Sequence, residues 1–216
     1  MKLYADSADL SAVLPLLQDA LVHGVTTNPT ILAKAGRSAA HLPMLCREFE
    51  DAGAGEIFIQ ATGEDRSALL QSSLHISEFG ERITVKVPAT GDGFRVATEL
   101  IRRDIRVLLT AVYSLPQATF AASIGVDYIA PYFGRLVDSG EDGLAKVTHM
   151  NLVLQETKTR VLVASVRSPN AAATLASNGV RYITADVPVL LAMMVDPVTE
   201  ASADEFERIT RSAGLF

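Results

Sequence analysis

Eight short runs rich in Val, Ile, Leu and Tyr recur along this 216-residue chain: KLYAD, VHGVTTN, EIFIQAT, RITVKVPA, IRVLLTAV, VDYIAPY, RVLVASV and RYITAD. Their starts lie roughly 20 to 35 residues apart, and stretches suited to helices fill the intervals, the arrangement of parallel βαβ units. Residues 8–21, 67–79, 94–103, 115–123 and 169–177 are such stretches. Gly24, Gly55, Gly80, Gly125 and Gly179 stand in helix-ending positions ahead of or within the runs. Eight alternating units in this length close most naturally into a (β/α)8 barrel, with an open doubly wound sheet as the rival that carries the same local signals. Gly, Pro and Ser are scattered and no block of like charges divides the chain. Residues 1–216 therefore read as a single α/β barrel domain with a C-terminal helix at about 202–212.

The barrel reading carries its own test, because functional groups in such a fold sit at the C-terminal ends of strands and point inward with period two. Asp6 ends the first run, Thr26 and Asn28 follow in the second, Gln60 ends the third, and Lys86 lies late in the fourth. Thr110, Tyr132, Ser165 and Thr184 hold the matching places in the last four. The runs are otherwise mainly apolar, so a polar group at the same end of all eight marks one face of a barrel.

Composition narrows the partners. Hydrophobic residues are 49% and charged residues 20%, enough apolar side chain for a buried core. The 19 basic residues against 25 acidic give a net charge of -6 without a basic cluster, which argues against nucleic acid. Cys46 is the only cysteine, so no intramolecular disulfide is expected. The start MKLYADSAD has no apolar signal region, and PVLLAMMV at 188–195 is far short of the roughly 20 residues a membrane span needs. The expectation is a soluble, cytoplasmic protein with no membrane partner.

Lys86 is flanked as Thr84-Val85-Lys86-Val87-Pro88, and it is one of five lysines. In a barrel strand the two valines face the helices and Lys86 faces the interior, where desolvation favours the neutral, nucleophilic amine. The alternative is an edge-strand lysine facing water, which a closed barrel does not provide. His23, His41, His75 and His149 form no HxH or HExxH pair, so neither a metal nor any other cofactor is expected. GDGFRV at 91–96 lacks the third glycine and the lysine of a nucleotide loop and reads as a turn and helix start. Arg135 and Arg167 follow the sixth and seventh runs in what read as loops on the active face, where with Ser165 they suit a phosphate.

These motifs resemble the small transaldolase family and, within it, the fructose-6-phosphate aldolases. The similarity spans LYADSAD, GVTTNPTIL, FIQAT, TVKVPAT, LLTAVYS, YIAPYFGR and VLVASVRSP, and GVTTNP followed by VKVP is the most specific pair. The resemblance implies a (β/α)8 barrel, a Schiff-base lysine, no metal, and cleavage or transfer of a three-carbon ketone unit. Under it Lys86 forms the imine and Asp6 lies near the sugar hydroxyls. Gln60, Thr110 and Tyr132 hold a catalytic water. Thr26 and Asn28 fall on the substrate side, Asn28 orienting the donor hydroxyl, and Arg135, Ser165 and Arg167 bind the acceptor phosphate. Whether Asp6 or Tyr132 moves the key proton stays open.

The family's transaldolases typically have Glu at the position of Gln60 and Phe at that of Tyr132, so both positions resemble the aldolase type. The expected activity is a class I aldolase joining dihydroxyacetone and glyceraldehyde 3-phosphate into fructose 6-phosphate. Its rival is a transaldolase passing a dihydroxyacetone unit between sugar phosphates. A non-catalytic sugar-phosphate-binding barrel comes third, since it would suit a chain without Lys86. The resemblance also implies a homo-oligomer, a pentamer or decamer, although the segment ending SAGLF lacks the Trp-containing helix of the aldolases.

Overall fold

The computed structural model describes residues 1–214. Its eight strands are β1 (Lys2–Asp6), β2 (Gly24–Thr26), β3 (Glu56–Gln60), β4 (Ile83–Pro88), β5 (Val107–Val112), β6 (Tyr128–Pro131), β7 (Arg160–Val166) and β8 (Tyr182–Ala185). Each falls inside one of the eight apolar runs. All neighbours pair in parallel, and β1 pairs with β8, which closes the barrel and removes the open sheet as an alternative.

Helices cover the outside: α1 (Leu10–Gln18), α2 (Pro29–Lys34), α3 (Leu42–Asp51), α4 (Arg66–Ser77), α5 (Gly91–Ile101), α6 (Leu115–Ile124), α7 (Phe133–Asp138), α8 (Gly143–Leu154), α9 (Pro169–Ser177), α10 (Val187–Ala192) and α11 (Pro197–Ala213). Side-chain oxygens cap many of their N-termini: Asp9 for α1, Asn28 for α2, Asp65 for α4, Thr90 for α5 and Ser168 for α9. The GDGFRV segment is the start of α5, as its reading as a turn and helix start required. The last helix begins at Pro197, earlier than the 202 read from sequence, because Asp196 caps it and Pro197 occupies its first turn.

Alternate strand positions divide the core in two. Val85, Val87, Ile57, Ile59 and Leu109 face outward into the layer beneath the helices. Tyr4, Phe58, Leu108, Tyr128 and Leu162 fill the barrel interior, with Phe58 meeting Tyr4 and Tyr128 edge to face at 5.4 and 5.2 Å. Below them Glu56 accepts hydrogen bonds from the Tyr4 and Tyr128 hydroxyls at 2.8 and 2.9 Å, so the floor is closed by a satisfied polar cluster.

The glycine reading holds in part. Gly125 is the left-handed cap of α6, and Gly179 also has positive φ, just past the end of α9. Gly24 instead lies within β2, where an added Cβ would stand 2.0 Å from the Glu56 carbonyl oxygen of β3. It is there for close strand approach and not for helix termination. Gly55 and Gly80 do not have positive φ either, and it is Gly53, at φ +98, that turns the chain after α3.

Candidate active site

A cavity of about 430 Å3 opens at the C-terminal end of the strands. Asp6, Asn28, Gln60, Lys86, Thr110, Tyr132, Arg135, Ser165 and Arg167, all expected from sequence, line it. Lys34, at the end of α2, and Asp186, just after β8, line it too and were not singled out as site residues.

Lys86 projects inward between the outward-facing Val85 and Val87 and keeps only 5% of its exposure. Its Nζ donates to the Thr27 carbonyl oxygen at 2.7 Å, a contact that fixes the amine without neutralising it. Burial pulls the Lys86 pKa below the ordinary lysine value, and only the Asp6 carboxylate works against this. Gln60 is its register partner on β3, so the amide stands beside the amine.

Asp6 is held from below. Thr26 donates its hydroxyl to Asp6 Oδ1 at 2.5 Å and also meets Thr184 Oγ1 at 2.6 Å. Thr26 and Thr184 are buried beneath the cavity and do not line it, which corrects their expected place at the rim. Asp6, which lines the cavity, accepts from Thr26, and Thr184 meets Thr26 in turn, so both hydroxyls lie behind the carboxylate. At β8 the rim is taken by Asp186. Burial raises the Asp6 pKa, the nearby Asp186 raises it further, and Lys86, the Thr26 hydroxyl and Lys34 oppose this. A carboxyl pushed up beside an amine pushed down brings the two groups closer in proton affinity, so that a proton can pass between them.

Tyr132 lies just beyond β6 and opens α7, and its hydroxyl is 2.9 Å from Thr110 Oγ1. Burial raises its pKa, so it is a protonated donor at neutral pH. With Gln60 and Thr110 it offers both donors and acceptors for a bound water. Asn28 accepts from the Ile31 amide through Oδ1 at 3.0 Å, which directs its amide nitrogen away from the helix it caps.

Two interruptions in the strands shape the opposite wall. Pairing shifts register between Thr110 and Val112 and again between Val163 and Val166. Within these gaps Ala111 and Ser165 take φ of +57° and +59°, and both line the cavity. Such bulges turn a side chain toward a site at a local cost of about 1–3 kcal/mol. Gly134 packs so closely on β7 that a Cβ would meet the Ser165 carbonyl oxygen at 2.6 Å and Arg167 Nε at 2.8 Å. This brings Arg135 and Arg167 to the same rim.

Arg135 is in the first turn of α7 and not in a loop as read from sequence; the helix starts directly after Tyr132. Its guanidinium lies 4.8 Å from the Tyr132 ring centre. Arg167 follows β7 and makes a two-pronged ion pair with Asp138 at 2.8 and 2.7 Å. Among the described residues there is no group of three or more His, Cys, Asp or Glu side chains placed to hold a metal, and no helix long and apolar enough to cross a membrane.

The fold and cavity define a (β/α)8 barrel whose polar site gathers around a buried lysine. Solved structures with the same fold include a mandelate oxidase (TM-score 0.63, 18% identity, 87% of this chain) and the thiamine phosphate pyrophosphorylase from Pyrococcus furiosus (TM-score 0.61, 17% identity). The chain spans 65% of the former and 87% of the latter. At such identities the likeness concerns the fold alone. The profile of the transaldolase/fructose-6-phosphate aldolase family matches residues 3–214. A probable transaldolase of Anaeromyxobacter sp. (strain K) is 34% identical over 95% of this chain and 94% of its own length. One from Anaeromyxobacter dehalogenans (strain 2CP-C) is 33% identical over 99% and 100%. The chain belongs to the transaldolase/fructose-6-phosphate aldolase family. It is an enzyme of the aldolase or transaldolase type.

Proposed function

We propose that the protein is a class I aldolase that cleaves and forms fructose 6-phosphate through an imine on Lys86. The observation that carries this reading is the buried Lys86 amine, held below its ordinary pKa at the centre of a polar cavity. Neutral Nζ adds to the C2 carbonyl of the ketose, and loss of water gives the iminium. Removal of the C4 hydroxyl proton breaks the C3–C4 bond, and its electrons pass into the iminium as an enamine. Glyceraldehyde 3-phosphate leaves as the aldehyde. Protonation of C3 and hydrolysis then release dihydroxyacetone and restore the amine.

Within this scheme Asp6 and Tyr132 are the proton carriers, and Gln60, Thr110 and Tyr132 hold the water that adds and leaves. Asn28 orients the donor hydroxyl, while Thr26 acts by holding Asp6. Arg135, Arg167 and Ser165 take the phosphate, Arg135 contributing more because Asp138 already engages Arg167. The enzyme works without metal or other cofactor, as a cytoplasmic homo-oligomer of five or ten subunits. Val198, Phe206 and Ile209, exposed along α11, support assembly.

The second reading, a transaldolase that hands the dihydroxyacetone unit to another sugar phosphate, is favoured by the description of its relatives as probable transaldolases. The two separate in one assay. Fructose 6-phosphate alone should release free dihydroxyacetone, and adding erythrose 4-phosphate should change its rate little. Turnover that requires erythrose 4-phosphate would establish the transferase instead.

A further inference from the structure

The cavity over Lys86 shares a wall with a second one on the β8, β1 and β2 side. Asp6, Ile31, Lys34 and Asp186 line both, and the second has a volume of about 360 Å3. The rest of that second space comes from residues 7–9 before α1, Ala12 within it, Ala35 after α2, and Val187 and Pro188 in α10.

Asp186 stands at the N-cap of α10, where a carboxylate ordinarily accepts from the first turn, yet it makes no such bond. The other caps facing this region behave differently: Asp9 accepts from Ser11 at 3.0 Å and Asn28 from Ile31 at 3.0 Å. The Asp186 carboxylate is therefore not committed to its own helix. Around the second cavity three acidic side chains (Asp6, Asp9 and Asp186) face one basic side chain, that of Lys34. An anionic group is repelled there, whereas hydroxyls can donate to the carboxylates.

A ketone bound to Lys86 has two arms. One is the bond-forming side, which leads to the acceptor and its phosphate at Arg135 and Arg167, after β6 and β7. The other lies toward Asn28 and the shared wall. We propose that the second cavity is a donor subsite for a neutral, hydroxylated extension on this second arm, so that ketoses longer than dihydroxyacetone serve as donors. The proposal rests on the aldolase reading, because Lys86 places the ketone. With L-erythrulose, Nζ bonds to C2 and water leaves. C1 then loses a proton to form the enamine that attacks the acceptor aldehyde, while the C3–C4 diol occupies the subsite.

Ala12 and Ala35 line the second cavity and not the first, so a larger side chain at either fills the subsite alone. Borohydride capture of the Lys86 adduct, followed by mass analysis, would compare dihydroxyacetone and L-erythrulose in the unsubstituted enzyme, Ala12→Leu and Ala35→Leu. The unsubstituted enzyme should capture both ketones. Each variant should keep its dihydroxyacetone rate and lose about tenfold or more with L-erythrulose. A variant that retains dihydroxyacetone capture decides the comparison. Equal L-erythrulose capture in such a variant, or loss of both ketones together in both variants, overturns the subsite. Capture of dihydroxyacetone but not L-erythrulose by the unsubstituted enzyme overturns it as well and leaves the aldolase reading standing. Capture of neither ketone overturns both.

Discussion

Under the proposed imine mechanism Lys86 attacks a carbonyl only as the free amine, so the groups that set its charge also set the pH range of the reaction. Burial lowers its pKa and the Asp6 carboxylate raises it. Asp6→Asn removes the charge that stabilises the ammonium, so the free amine persists to lower pH. The acidic limb of imine formation should move down in pH in this variant, read from adduct formation with dihydroxyacetone across pH. A limb that stays or moves up would show that Asp6 does not act on Lys86. The two arginines differ in the same residue-level way. A guanidinium on a phosphate contributes roughly 1.5–3 kcal/mol, so Arg135→Ala should weaken use of glyceraldehyde 3-phosphate about ten- to a hundredfold. Arg167→Ala should lose less than about tenfold, because Asp138 already holds that guanidinium. Plain glyceraldehyde should be unaffected by either change. Equal loss on both acceptors would make the arginine concerned a structural or catalytic group.

At the scale of elements, Gly24 shows what sequence punctuation hides. It looks like a helix stop, but it is the point where β2 comes against the β3 backbone, 2.0 Å from where a Cβ would stand. Gly24→Ala should therefore destabilise the barrel by about 2–3 kcal/mol and lower the urea midpoint without changing the slope. An unchanged midpoint would mean that the two strands separate without cost. The strands themselves were legible because each is a compact apolar run with period two, and Lys86 stood out as the polar residue in such a run. The bulges at Ala111 and Ser165 were not legible, since neither residue is a glycine and the positive φ comes from tertiary pairing. The start of α7 was missed for a related reason: α7 is only six residues long, too short to show helical periodicity.

Closure is a property of the whole molecule. Local signals serve a barrel and an open sheet equally, and only the pairing of β1 with β8 separates them. That closure makes one cavity from residues as distant in sequence as Asp6 and Arg167. Most of the site was legible because one polar residue marks each strand end. Lys34 and Asp186 escaped because they stand on a helix end and a connection, outside the strand period. Thr26 and Thr184 were seen but placed too near the rim, since period two gives the inward face and not the depth. The whole arrangement converges on one amine, and its chemistry can be read directly. Borohydride reduction in the presence of fructose 6-phosphate or dihydroxyacetone, followed by peptide mapping, should place a three-carbon adduct on the peptide that contains Lys86. It should be absent from Lys86→Met and should form equally well in the presence of a chelator. An adduct on Lys2, Lys34, Lys146 or Lys158 instead, or none at all, would contradict the imine mechanism.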